Sequence, residues 1–484
     1  MIKSKIVDFL EKFSAEEFKE FGRYVNSPYF NVNKKLITSY NYFKIYFGDY
    51  SNKDFNKEEL YSAVFPGTKY RDTETRKLLS GLTKLAEGYM CQNEYDKNDF
   101  EKNINLAGKL LSKDLVGNAE KIVTQLEEIS AIEKINGQHY FYELMKIQIK
   151  KKTIELKKES FQTGNLTEDK INSYLLNYFV SFSTKIVQNI KAKQYYNLIA
   201  AEPLLPKFFS FIDMDRYIEW LEETKYEFSE ILIMNFCIIK CVNDAYDKQT
   251  YNKFKELLLN NHKKISHFEL NNLFTCLQGI QIKRIRENDA DALKELFEVN
   301  NLILEHEAYA FYPGGSMPYS VYVTMITIGI SSKEFEWVSS FINKFTPLLQ
   351  EKHRRNLYNY AMAELTYSTG STSEALEYTS KIEYEGFFLK HEVNILKLKI
   401  YYDEDDFISV LYQLDSYKKL VEGNKFVGEQ QYDIYSGFIK VFSELVKVKE
   451  NKDKASAEIL LSKTEKLTNV QNKDWLLEKI KELI

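Results

Sequence analysis

Residues 361–382 read AMAELTYSTGSTSEALEYTSKI, and this stretch decides the class of fold. An aromatic residue (Tyr367), a small turn residue (Gly370) and a small residue suited to a helix–helix contact (Ala375) follow one another at short spacing. Ser371 with Glu374 has the S-x-x-E form of a capping box, in which hydroxyl and carboxylate satisfy the free N–H groups at a helix start. The stretch therefore predicts two helices joined by a tight turn.

Shifted by 34 residues, the same positions read Tyr401, Glu404 and Ser409, so the aromatic and the small contact residue recur while the glycine is lost. Candidate helix caps continue the rhythm at Asp247, Asp289, Ser331, Ser371 and Asp405, which are 42, 42, 40 and 34 residues apart. Ser331 with Glu334 repeats the S-x-x-E form, and Asp453 before Ala455–Leu461 adds a further member. A period of this size is that of helix-pair solenoids, in which each pair buries its apolar face only by stacking on its neighbours. Ala361–Ile382 resembles a tetratricopeptide repeat, although the repeat's tryptophan is missing and Met362-Ala363 stands where that repeat has Leu-Gly. The resemblance, to a degenerate form of that repeat, implies an α-α superhelical solenoid over residues 96–484. An irregular helical bundle is the alternative.

The first ninety-five residues form a separate helical module by the same reading. Ile2, Ile6, Phe9, Leu10 and Phe13 fall on one face of a helix. Ser14 and Glu17 make a capping box for a second helix that stops before Ser27-Pro28, and Phe65-Pro66-Gly67 stops a fourth that opens after Asn56 and Lys57. Asp72 is the expected cap of a long fifth helix through Leu78, Leu82, Leu85 and Tyr89. Ser27-Pro28-Tyr29-Phe30-Asn31 and Phe65-Pro66-Gly67, followed by Arg76, Leu79, Ser80 and Leu82, resemble the N-terminal region of a group of uncharacterised bacterial proteins with helical C-terminal halves. That likeness supports a domain boundary near residue 95 and carries over no functional residue. Seams inside the rest are expected at Pro203 and Pro206 and at the Tyr312–Pro318 loop, the one Gly/Pro-rich stretch of the chain.

Composition agrees with an all-α fold. A chain of 484 residues exceeds what one compact core supports, and with 18 Gly and 7 Pro it lacks the residues that punctuate β-turns and loops. Hydrophobic residues at 44% and charged residues at 28% suit a chain that buries a core. Aromatics at 15% accompany abundant Lys, Asn and Ile, residues with A/T-rich codons, so biased composition accounts for most of them. A net charge of −4 gives no overall footprint for nucleic acid. Four scattered cysteines (Cys91, Cys237, Cys241 and Cys276) form no disulfide framework, and with no leader-like or membrane-spanning apolar run the expectation is a cytoplasmic protein without membrane association.

Searches for chemistry exclude more than they find. His391-Glu392 and His306-Glu307 begin a zinc-protease pattern, but Ile395 and Ala310 occupy the place of its second histidine. Cys237 and Cys241 read as core thiols, His262 and His267 as surface residues, and the acidic runs Glu222-Glu223 and Asp403–Asp406 as solvated charge. The Tyr312–Pro318 loop lacks the lysine and hydroxyl of a phosphate cradle. No nucleophile elbow, dinucleotide turn or CxxC pair occurs. No enzyme activity and no cofactor are therefore expected.

What remains is binding. The expectation is a non-catalytic scaffold or adaptor that holds another protein or peptide in a solenoid groove. The rival is a DNA-binding regulator, since Asn56–Met90 has the rhythm of a helix-turn-helix and Arg71, Arg76, Lys77 and Lys84 would be its contacts. A winged helix also needs a β-hairpin, for which Cys91–Phe100 has no alternating pattern. Fifteen Lys and Arg stand against thirteen Asp and Glu in residues 1–95, a weak phosphate-binding surface. A second basic run, Lys146 to Lys158, reads as the solvated face of an amphipathic helix.

Overall fold

The structure is a computed structural model that describes residues 2–158, 164–195, 204–224, 226–286, 289, 291–383, 386–423, 429–467 and 470–484. Among these the regular structure is helical from end to end, and β pairing is limited to two isolated bridges, Ile135 with Ile265 and Met317 with Leu349. The chain divides into two compact units, one of residues 1–129 with 149–164 and one of residues 130–148 with 165–484.

In the first unit the Asp72–Lys97 helix is central, because Lys5–Leu10, Ala15–Asn26, Lys34–Ile45 and Lys57–Val64 all pack on it. Its side chains Leu78, Leu79, Leu82, Ala86 and Tyr89 share one buried cluster with Ile6, Phe21, Phe43 and Phe55. Ser14 and Glu17 form the reciprocal capping box at Ala15–Asn26, and Asn56 accepts from the Glu59 N–H at 2.9 Å to start Lys57–Val64. Asp72 does not cap as its sequence position suggests. It is the first helical residue, behind Arg71, and its carboxylate meets the Lys57 ammonium at 3.2 Å and the Arg76 guanidinium at 2.6 Å. These cations outcompete a backbone N–H for the same oxygens.

The Ser27–Asn31 motif has a local structural explanation. Buried Asn31 donates from Nδ2 to the Val25 carbonyl at 2.8 Å and accepts from the Asn33 N–H at 2.9 Å, closing the turn between two helices. The basic run is likewise structural in part. Lys151, Lys157 and Lys158 pair with Glu127, Asp114 and Glu120 at 2.7, 2.5 and 2.5 Å.

In the second unit, from Ser229–Asn243 to Lys473–Lys481, each helix packs chiefly on helices one or two places away along the chain. One junction recurs. The N–H of Asp289, Glu334, Ser371, Asp406 and Asp453 donates to the carbonyl five residues earlier, at 3.0, 2.9, 2.8, 3.0 and 3.3 Å respectively. In four of these the residue before the donor is left-handed: Lys333 (φ +59°), Gly370 (+91°), Asp405 (+57°) and Lys452 (+51°). This is a Schellman closure, which satisfies the last carbonyl groups of one helix while turning the chain into the next.

These turns correct several expected caps. Asp247 and Asp453 do cap, accepting from the Thr250 and Ser456 N–H groups. Ser331 instead ends the Tyr319–Ser331 helix, and Glu334 takes the cap position with no side-chain bond. Ser371 stands at the cap position, but its hydroxyl accepts no N–H. Asp405 is the left-handed residue, so the capping carboxylate belongs to Asp406, which accepts from the Ser409 N–H at 3.0 Å. At Ser331 and Asp405 the left-handed turn takes up positions of the chain, so the cap falls on Glu334 and Asp406.

Of the two prolines at the first expected seam, Pro203 lies outside the described residues. Pro206 sits in the first turn of Leu204–Phe209, where helical N–H groups lack intrahelical partners anyway. The Tyr312–Pro318 loop is tied down at one end, with Met317 buried and its N–H bonded to the Leu348 carbonyl at 3.0 Å.

Candidate functional site

Two helices of the second unit each present a stripe of polar side chains. On Glu351–Ser368 these are Tyr360, Glu364 and Tyr367, at i, i+4 and i+7. On Phe387–Asp403 they are His391, Glu392, Lys399 and Asp403, which recur at helical spacing and so share one side. A third element, residues 470–484 with the Lys473–Lys481 helix, meets both.

The contacts are specific. The Tyr367 hydroxyl donates to Asp403 Oδ2 at 2.7 Å and accepts from the Trp475 indole N–H at 2.9 Å. Lys479 Nζ lies 3.0 Å from Asp403 Oδ1. Lys399 donates to Asn472 Oδ1 at 2.6 Å and lies 5.6 Å from the centre of the Trp475 ring. Buried His391 sits 3.0 Å from Gln471 Oε1 through Nε2 and 2.9 Å from the Tyr417 hydroxyl through Nδ1.

Removal from water sets the electrostatics of this site. Burial, reinforced by the neighbouring Glu364 charge, raises the Glu392 carboxyl to about 7, and burial raises Glu364 as well. Burial also depresses Lys399, against the pull of Glu364, Glu392 and Asp403, and lowers His391 to about 4. Tyr367 is held well above the ordinary phenol range by burial and by the Asp403 carboxylate. The result is a half-buried array in which Glu364 and Glu392 share the field of one lysine, while Asp403 is satisfied from two sides.

Hydrogen-bond acceptors and donors are fixed in place, and the aromatic faces of Trp475 and Tyr367 lie beside them. Among the described residues, no group of three or more His, Cys, Asp or Glu side chains is placed to hold a metal ion.

Each residue singled out from the sequence has a definite place. Tyr367 lies in the array itself. Gly370 forms the left-handed turn, and Ala375 is fully buried against Ala363, Leu396 and Ile400. Tyr401 is half-buried against the core of the following helices, and Ser409 donates its N–H to the Asp406 cap. Arg71, Arg76, Lys77 and Lys84 are exposed on the first unit. Arg76 pairs with Asp72 at 2.6 Å and Lys77 with Glu74 at 2.8 Å, both within their own helix. Residues 91–97 continue that helix and 99–112 form the next.

Two expectations about isolated residues change. Asp403 is not solvated charge but the shared acceptor of the array, whereas Asp405 and Glu404 are exposed. His262 and His267 are half-buried rather than superficial. The His262 ring lies 4.6 Å from that of His306, and His267 Nε2 lies 2.9 Å from the Glu307 carbonyl oxygen. Cys237 and Cys241 are buried, and burial raises their thiols to about 11 and about 12, which leaves them un-ionised and unreactive near neutrality.

Sequence reasoning missed Glu364, Glu392, Lys399, Asp403 and Trp475 as one constellation. The helical spacing of Glu392, Lys399 and Asp403 is visible in the sequence, but the approach of Trp475 from 108 residues beyond Tyr367 is not. No helix among the described residues is long and apolar enough to cross a membrane. No protein-family model and no curated protein matches the chain.

Proposed function

We propose that the chain is a non-catalytic scaffold or adaptor whose second unit is a degenerate, tetratricopeptide-like helical-repeat solenoid. The observation that carries this reading is the mainly local packing of the helices from Ser229 onward. Helices in register along the chain stack mainly on those one or two places away, and the same five-residue turn recurs between them. Stacking of this kind extends a continuous core and leaves a continuous face on which a peptide, a helix or a folded domain can lie. The Tyr367–Asp403 array supplies aromatic and charged anchors of the type that dominate binding energy at such faces. A cytoplasmic location fits the four free cysteines.

The DNA-binding reading of the first unit is the weaker proposal, because the acidic neighbours of Arg76 and Lys77 already engage them and residues 91–97 are helical where a wing would begin. One experiment separates the two. The tagged full chain is captured from native lysate with and without nuclease, and retained proteins are cross-linked and mapped. A protein that survives nuclease and cross-links to the Glu351–Ser368 and Phe387–Asp403 helices supports the scaffold. Retention of nucleic acid, lost in an Arg71, Arg76, Lys77 and Lys84 quadruple alanine variant, supports the rival.

A further inference from the structure

Most helix contacts in the second unit are local, but Ile135 and Asn136 bond residues 264–266, Lys185 meets Glu269, and the C-terminal segment reaches back along the chain. The segment Val470–Ile484 packs not only on its neighbours but on Tyr367, His391, Lys399 and Asp403, between 73 and 108 residues away in sequence. Its helix inserts Leu476 and Ile480 into the core shared with Tyr402, Phe438 and Phe442. On the same helix it presents Trp475 and, one turn later, Lys479, and these two converge on one acceptor system. The Trp475 indole N–H donates to the Tyr367 hydroxyl, which donates to Asp403 Oδ2, while Lys479 approaches the other oxygen, Asp403 Oδ1. Asn472, in the left-handed conformation at the cap of that helix, takes the Lys399 ammonium.

We infer that this face is a docking site for an amphipathic helix carrying Trp-x-x-x-Lys, and that residues 470–484 occupy it as an internal ligand which a partner helix must displace. This inference deepens the scaffold reading and rests on it for the existence of a partner. The occupant's chemistry is taken from the segment already seated there: an aromatic N–H donor facing a phenol, and an ammonium one helical turn on facing a carboxylate. Asp403 decides specificity, because it takes the Lys479 ammonium directly and the Trp475 anchor through the Tyr367 hydroxyl. A tethered segment competes at an effective concentration of roughly millimolar, so a free helix binds only when it matches this chemistry or when the segment is weakened.

The test uses the full chain and a fluorescent peptide of residues 470–484. Wild-type protein is expected to bind the peptide at least roughly 100-fold more weakly than the Trp475→Ala, Lys479→Ala double variant, in which two of the segment's anchors are removed. Adding Asp403→Asn to the double variant is expected to weaken peptide binding at least tenfold. Circular dichroism and melting establish that the double variant is folded. If it is not, amide exchange of residues 473–481 in the wild-type chain is followed as unlabelled peptide is added in excess, and faster exchange there alone is the expected result. No peptide binding by a folded double variant overturns the inference, as does binding indifferent to Asp403→Asn or exchange unaffected by excess peptide. Such a failure leaves the scaffold proposal to its own test, since a partner that cross-links elsewhere on the stacked helices would still support it.

Discussion

The two units solve the same problem, burying the apolar faces of short helices, in different ways. In the first, four helices converge on Asp72–Lys97, so residues far apart in sequence share one core and Leu82 touches a cluster built from all of them. In the second, from Ser229 onward, each helix relies chiefly on those one or two places before and after it, and the core extends mainly through local contacts. A converging bundle is expected to lose its structure as a unit, whereas a chain of local contacts can fail in one place and persist in another.

The largest effect expected from this contrast is at Ala375. Ala375→Asp would force a carboxylate into a fully buried contact with Ala363, Leu396 and Ile400, at a cost of several kcal/mol. Hydrogen exchange should rise across residues 351–403 and stay unchanged in residues 2–97. Uniform deprotection of the whole chain would break the comparison.

Leu82→Ala removes a fully buried side chain from the central helix of the first unit and is expected to destabilise it by about 2–5 kcal/mol. Here exchange should rise together across all five helices of residues 5–97. Protection lost only around residue 82 would show that the bundle is not one cooperative unit.

Gly329→Ala probes a close helix approach in the second unit. An added Cβ would come within 2.6 Å of Val338 Cγ2 and 3.0 Å of the Trp337 ring. Overpacking of this kind costs about 1–3 kcal/mol, and the loss should appear as exchange confined to residues 319–345.

Glu392 gives a pH-dependent test. Its carboxyl is raised to about 7, so the native state pays for its ionisation above that pH, and the penalty disappears as pH falls through 7 towards the unfolded value near 4.5. Glu392→Gln should therefore stabilise the chain at pH 8 and not at pH 4.5. Water reaches 34% of the side chain, so the gain is expected to be about 1 kcal/mol rather than the full value of the shift. His391 works in the opposite sense. Its lowered value means that stability is lost as pH falls from about 6.5 through 4, and since its Nε2 lies 3.9 Å from Glu392 Oε1 the comparison is made at pH 8, where the imidazole is neutral. Equal melting temperatures of the two proteins at pH 8 would remove the argument for a buried carboxyl.

The smallest effect is at the recurring turn. Lys333 holds φ +59° at a position that glycine adopts without strain. Lys333→Gly should stabilise by at most about 0.5–1 kcal/mol, since greater freedom of the unfolded chain offsets part of the relief. A comparable gain at Asp405 would confirm that both turns are of one kind.

These turns also show how far the sequence can be read. Asp247 and Asp453 were legible as caps because each directly precedes its helix and accepts the N–H of a hydroxyl residue three positions on. Ser331 and Asp405 were misleading, since the closure depends on backbone conformation, and Lys333, Asp405 and Lys452 carry no glycine to announce it. Burial at Ala375 followed from its small size beside a turn, and the core thiols followed from the apolar run around Cys237 and Cys241.

By itself the sequence determined the helical class and the caps at Ser14, Asn56, Asp247 and Asp453. Each of these depends on interactions within a few turns of chain, where spacing maps directly onto geometry. Only the tertiary structure decided that Asp72–Lys97 is the hub of one unit, and that Asp403 is shared between Tyr367 and Lys479. It alone brought Trp475 to Tyr367 across 108 residues. Contacts at that separation depend on the cumulative rotation of every helix between them, which no local pattern of residues records.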